Sequence, residues 1–137
     1  MRVKDLMTTD VCCVRPETSI AEIASQMRKC DIGTVPVCND KGEILGIITD
    51  RDIVLRSLAK TQSDDIYANE IMSKNVITTT EDTDIHDAAL LLSKNKIRRL
   101  PVVSGNRLVG ILTTCDIARC QILADEAGDI LCAISTI

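Results

Sequence analysis

Two stretches decide how this chain is read: Gly46-Ile47-Ile48-Thr49-Asp50-Arg51-Asp52-Ile53 and Gly110-Ile111-Leu112-Thr113-Thr114-Cys115-Asp116-Ile117. Each is a glycine, two aliphatic residues, a threonine, two variable residues and an aspartate, so the chain carries the same small design twice. Working outward, the pairing extends in both directions. Val35-Pro36-Val37 matches Leu100-Pro101-Val102, Ile32 matches Ile97, Thr18-Ser19-Ile20 matches Thr83-Asp84-Ile85, and Asp5-Leu6-Met7-Thr8 matches Glu70-Ile71-Met72-Ser73. The offset changes by one residue at a turn, so the chain is an internal duplication.

Both halves have the same local pattern. A short apolar run, Val11 to Val14 or Val76 to Thr79, predicts a strand. Ser19 with Glu22 predicts a capping box, followed by an apolar face of Ile20, Ile23, Ala24 and Met27; Ile85, Ala88, Ala89 and Leu92 repeat that face. Val35 to Cys38 and Ile44 to Thr49 flank Asn39-Asp40-Lys41-Gly42, and Leu100 to Val103 and Leu108 to Thr113 flank Ser104-Gly105-Asn106, which predicts two hairpins. Second helices are expected at about Asp50 to Lys60 and Thr114 to Ala127, with Gly128 as a helix stop. The expected organisation is α+β: repeat 1 over 1–60, a linker at 61–67, repeat 2 over 68–127 and an apolar extension at 128–137. Each repeat is strand, helix, hairpin, helix. A unit that small buries little surface alone, so the halves are expected to pack sheet to sheet.

Composition narrows the function. In 137 residues there is one Tyr and neither Phe nor Trp, and 16 basic against 20 acidic residues give a formal charge of −4. A negative, aromatic-poor chain lacks both the basic face and the stacking platforms of nucleic-acid binders. Any base it holds must lie between aliphatic walls. The single histidine, His86, removes most imidazole-dependent hydrolytic and zinc sites, and it is expected to be an exposed helix residue. No P-loop and no nucleophile–base pair are present, so no catalytic residue and no metal are assigned. No apolar run approaches the roughly 20 residues of a membrane span. The opening MRVKDLMTTD has no apolar signal core, and seven cysteines is an odd number without C-x-x-C spacing. Reduced thiols in a cytoplasmic, soluble protein are expected. Most cysteines read as small buried hydrophobes, with Cys12 and Cys115 reserved for redox chemistry.

The Thr-x-x-Asp motif has two readings. In one, Thr ends a strand and Asp stabilises the first turn of a helix. In the other, the hydroxyl and carboxylate share a corner suited to phosphate and to a ribose diol. The repeated motifs, with the openings DLMTTDV and EIMSKNV and the blocks VPVCNDKGEILGIITDRDI and LPVVSGNRLVGILTTCDI, resemble a tandem pair of CBS (cystathionine β-synthase) domains, a Bateman module, over about residues 1 to 122. The resemblance implies two clefts between the halves, holding adenosine-containing ligands such as AMP, ADP, ATP or S-adenosylmethionine. It implies one cleft with Thr49, Asp52, Ile77, Ile97, Arg98 and the wall residue Ile47, and another with Thr113, Asp116, Cys12, Ile32, Gly33 and the wall residue Ile111. Arg51 and Arg98 supply fork-like donors, so the Thr49/Asp52 cleft is expected to be the tighter phosphate site. The resemblance thus implies a non-catalytic sensor with no required cofactor, acting as a homodimer on an unknown regulated protein, with no nucleic-acid or membrane partner. The alternatives are a constitutive dimeric scaffold with vestigial clefts and a redox-sensing CBS protein.

Overall fold

A computed structural model describes residues 1–60 and 66–135. Most of the expected linker, 61–65, lies outside the described residues, as do the last two positions of the extension. The chain forms two compact units, residues 12–76 and residues 1–11 with 77–137. Each has its own apolar core.

In the 12–76 unit, helix α1 (Ile20–Cys30) begins where Ser19 Oγ accepts the Glu22 amide at 3.3 Å, and it ends at Asp31, which takes the left-handed conformation at φ 52°. Ile20, Ile23 and Met27 are buried as expected, whereas Ala24 faces solvent. Strands β1 (Thr34–Cys38) and β2 (Ile44–Thr49) form the first hairpin, antiparallel with Thr34 opposite Thr49. Its turn is built by Asn39, whose Oδ1 accepts the Lys41 and Glu43 amides, and by Gly42 at φ 79°. The strand expected over Val11 to Val14 contracts to a single parallel bridge, Val14 to Val37. The reason is burial: Val14 is in the core, but Cys12 and Cys13 are exposed. Beyond β2, α2 (Asp50–Asp52) passes into π-helical turns over Ile53–Leu58 instead of continuing as a regular helix to Lys60. There the Ala59 amide reaches the Val54 carbonyl at 3.0 Å. The short helix α3 (Ala68–Ile71) closes the unit, with Ala68 and Ile71 buried.

The other unit repeats this plan with additions. Strand β3 (Thr79–Thr80) pairs parallel with β4 (Arg99–Ser104), which pairs antiparallel with β5 (Arg107–Thr113). The strand expected over Val76 to Thr79 is thus shorter and shifted to its last residue. Helix α4 (Ile85–Asn95) buries all four predicted positions, Ile85, Ala88, Ala89 and Leu92. The long helix expected from Thr114 to Ala127 is broken. Helix α5 (Thr114–Ala118) ends, Cys120 is extended at φ −93° and ψ 110°, a 3₁₀ turn spans Gln121–Leu123, and helix α6 (Ala124–Ser135) begins. Gly128 lies inside α6 and does not stop it. Packing on α4 explains this: α6 buries Ile130 completely, worth about 1.5–3 kcal/mol, against about 1 kcal/mol for a glycine in a helix. His86 is exposed as expected, and its Nδ1 stands 2.7 Å from Glu126 Oε1, linking α4 to α6.

The units exchange their opening segments relative to the sequence repeats. Residues 1–11 join the second hairpin: Val3 is fully buried, its amide bonds the Thr83 carbonyl at 3.0 Å, and Thr8 bridges to Ile111. Lys4 and Arg2 both approach Asp82, and these cations hold its exposed carboxyl below the usual carboxylate range. Residues 66–76 play the same part for the first hairpin, where Ser73 bridges to Ile47. The sequence match of Met7-Thr8 with Met72-Ser73 is therefore a match of structural roles.

Candidate functional site

In both units the Thr-x-x-Asp motif makes one local construction. Strand β2 delivers Thr49 with extended backbone, and its hydroxyl accepts the Asp52 amide at 3.1 Å. Asp52 Oδ2 in turn accepts the Thr49 amide at 2.9 Å. At the end of β5, Thr113 accepts from the Asp116 amide at 3.2 Å, and Asp116 Oδ2 accepts from the Thr113 amide at 2.8 Å. These are reciprocal capping boxes, which satisfy the orphan amides of a helix start. The structural reading of the motif is thus realised twice. One carboxylate oxygen of each Asp lies outside the box.

The loops that precede the hairpins are fixed beside these corners. After the left-handed residues Asp31 and Lys96, the Ile32 and Ile97 amides return to the Met27 and Leu92 carbonyls at 3.0 Å. The Asp50 amide then bonds the Gly33 carbonyl, and the Thr114 amide bonds the Arg98 carbonyl, both at 2.9 Å. The 12–76 unit therefore gathers Thr49, Arg51 and Asp52 with Ile32 and Gly33, and the other unit gathers Thr113 and Asp116 with Ile97 and Arg98. Ile32, Ile47, Ile77, Ile97 and Ile111 are all half-buried. Arg51, Arg98 and Cys12 are exposed. The groupings implied by the resemblance join residues of different units.

Two residues were missed in the sequence. Arg56 Nε stands 3.6 Å from Asp52 Oδ1, while its Nη1 donates to the Ile71 carbonyl and to Ser73 Oγ. Its presence was legible as an Asp–Arg pair four residues apart on a helix. The equivalent position in the other repeat is Cys120, so Asp116 has no matching arginine four residues on. Asp50 is the second: its Oδ1 accepts the Arg51 amide at 2.8 Å, and a Cβ at Gly33 would lie 3.0 Å from its Oδ2. Among the described residues, no group of three His, Cys, Asp or Glu side chains is placed to hold a metal. No helix among them is long and apolar enough to cross a membrane.

The duplicated corner has a counterpart in known proteins. The family model described as CBS domain matches twice, at residues 3–58 and 68–122. This chain belongs to the CBS domain family. The CBS domain-containing protein YhcV of Bacillus subtilis is 39% identical over 133 residues, covering 97% of this chain and 94% of YhcV. Among solved structures, the CBS domain pair of protein MJ0100, in complex with 5′-methylthioadenosine and S-adenosyl-L-methionine, has a TM-score of 0.78 and 36% identity over 87% of this chain and 94% of that one. Hypoxic Response Protein I with two coordinated zinc ions has a TM-score of 0.80 and 34% identity over 87% and 98% of the two chains. CBSX2 in complex with AMP has a TM-score of 0.78 and 27% identity over 90% and 98%. The tandem CBS fold read from the repeated motifs is therefore this protein's fold.

Proposed function

We propose that this CBS protein is a non-catalytic sensor that binds an adenosine-containing ligand at its Thr-x-x-Asp corners and passes the signal by a change of conformation or association. The observation that carries the reading is the corner itself, built twice with the same bonds and with one oxygen of Asp52 and of Asp116 outside the capping box. CBS pairs of similar structure hold 5′-methylthioadenosine, S-adenosyl-L-methionine or AMP, which supports a ribose and an adenine as the shared chemistry. In this reading Asp52 and Asp116 accept from ribose hydroxyls and Thr49 and Thr113 lie near phosphate. The candidate base contacts are Ile32, Ile47, Gly33 and Cys12 in the 12–76 unit and Ile77, Ile97 and Ile111 in the other unit.

The corners differ in charge. Arg56 balances Asp52, which leaves Arg51 for an anion, whereas the residue equivalent to Arg56 beside Asp116 is the uncharged Cys120. A phosphorylated ligand is therefore assigned to the Thr49/Asp52 corner, with Arg51 as its phosphate donor. Regulation would follow from unequal affinity for two arrangements of the protein. Self-association, which the family resemblance suggests, would cover apolar side chains exposed on the π-helical turns, Val54, Leu55 and Leu58.

A thermal-shift panel of AMP, ADP, ATP, S-adenosylmethionine and 5′-methylthioadenosine tests the proposal. A true ligand at 100 times its Kd should stabilise the protein by about 2.7 kcal/mol. Asp52→Asn and Asp116→Asn are the informative variants, because an amide oxygen can still accept the capping amide while the charge is lost. For AMP, Asp52→Asn is expected to abolish the rise and Asp116→Asn to keep most of it. If no compound in the panel raises the melting temperature, the sensor reading is wrong and the constitutive scaffold stands.

A further inference from the structure

Two thiols of the 12–76 unit touch each other at the end of the hairpin away from the Thr49 corner. Cys38, the last residue of β1, is buried, and its Sγ donates to Cys13 Sγ at 3.4 Å; Cys13 is exposed. Backbone bonds hold the two segments together: the Val14 amide bonds the Pro36 carbonyl at 3.0 Å, and the Cys38 amide bonds the Val14 carbonyl at 2.8 Å. Residues 11–13 lie outside any strand, so the Cys13 side chain can turn without breaking a ladder bond. The hydrogen bond from Cys38 lowers the Cys13 thiol to about 7, against the opposing effect of burial and with help from the positive charge of Arg15. Arg15 is itself paired with Asp40 at 2.6 Å. Donating that bond raises the Cys38 thiol. An exposed sulfur with thiolate character beside a buried thiol is the arrangement of an attacking and a resolving cysteine.

We infer that Cys13 and Cys38 are a redox pair, closed to a disulfide by a hydroperoxide and reopened by a dithiol. The Cys13 thiolate attacks one peroxide oxygen. An S–O bond forms, the O–O bond breaks, and the leaving oxygen takes a proton, giving a sulfenic acid and an alcohol, or water if the oxidant is hydrogen peroxide. Cys38 sulfur then attacks the sulfenic sulfur and loses its proton, and the S–O bond breaks to release water as the S–S bond forms. Two electrons pass from the sulfurs to the peroxide. Closure requires the sulfurs to approach from 3.4 Å to about 2.05 Å. The redox candidates expected from the sequence were Cys12 and Cys115; the thiol contact that carries this inference is between Cys13 and Cys38. The disulfide would fasten the segment around Val14 to the end of β1 opposite the Thr34–Thr49 pair, and it is independent of the ligand proposal.

The test uses full-length protein in EDTA, treated with a small molar excess of hydrogen peroxide, then denatured, alkylated with iodoacetamide and weighed intact. Two alkylatable thiols should disappear and return with dithiothreitol, and the oxidised form should melt higher. Cys13→Ser, Cys38→Ser and the smaller apolar Cys38→Ala should each prevent the loss, while Cys12→Ser and Cys30→Ser should leave it intact. Loss of two thiols that persists in Cys13→Ser or in a folded Cys38 variant overturns the inference. So does a crosslink between chains, or oxidation to sulfinic acid without disulfide.

Discussion

Ile130→Asp is expected to destabilise the 1–11/77–137 unit by about 4 kcal/mol or more. Ile130 is completely buried in the cluster that includes Ile85, Ala89, Leu92 and Leu123. Substitution removes apolar burial worth about 1.5–3 kcal/mol. It also places a carboxylate where the neighbouring core side chains are apolar. Small domains carry only about 5–15 kcal/mol in all, so much of the unit's stability would go. Leu131→Asp is the control, because Leu131 is 62% exposed and a surface change there should stay within about 0.5 kcal/mol. Urea unfolding followed by circular dichroism gives both values. Equal losses for the two variants would mean that α6 is not seated on α4 by Ile130.

That prediction concerns a segment the sequence pattern misread, and the reason is physical. Hairpins, the face of α4 and the face of α1 apart from Ala24 were legible because their cues are local: alternation, a turn residue, a cap, a period near 3.6. Gly128 was a local cue too, but a tertiary gain at Ile130 outweighed it. The break at Cys120 and the π-helical turns after Asp52 had no local cue. Nor did the exchange of opening segments, which depends on pairings such as Thr8 with Ile111 across most of the chain. At the site, the Thr-x-x-Asp corner was legible because duplication repeats it. Arg56 was readable from helix spacing and was overlooked. The Cys13–Cys38 contact could not be read, because it depends on how residues around Val14 lie along β1, and that lone bridge falls short of the expected strand.

Gly46→Val and Gly110→Val should each cost about 2–4 kcal/mol, for a reason that also explains why the motif opens on glycine. A Cβ at Gly46 would stand 2.7 Å from Met72 Sδ and 2.9 Å from the Ser73 carbonyl oxygen; at Gly110 it would stand 2.8 Å from Met7 Sδ and 2.9 Å from the Thr8 carbonyl oxygen. The methionine can turn aside, but the carbonyl is backbone already held in a bridge. The Ile47 amide donates to that Ser73 carbonyl and the Ser73 amide to the Ile47 carbonyl, each at 3.0 Å, and Thr8 and Ile111 exchange the same bonds at 2.9 Å. A valine therefore adds about 1–3 kcal/mol of overpacking and strains two hydrogen bonds worth about 1 kcal/mol each. Hydrogen exchange should show lost protection at Ile47 and Ser73 in one variant, and at Thr8 and Ile111 in the other. Gly128→Ala should move stability the other way, by up to about 1 kcal/mol, because nothing lies within 4 Å of its added Cβ inside α6. If Gly46→Val and Gly110→Val proved neutral, the crossing segments would not be seated on β2 and β5. Ile47 and Ile111 would then lose the backbone bonds that anchor them two residues before Thr49 and Thr113.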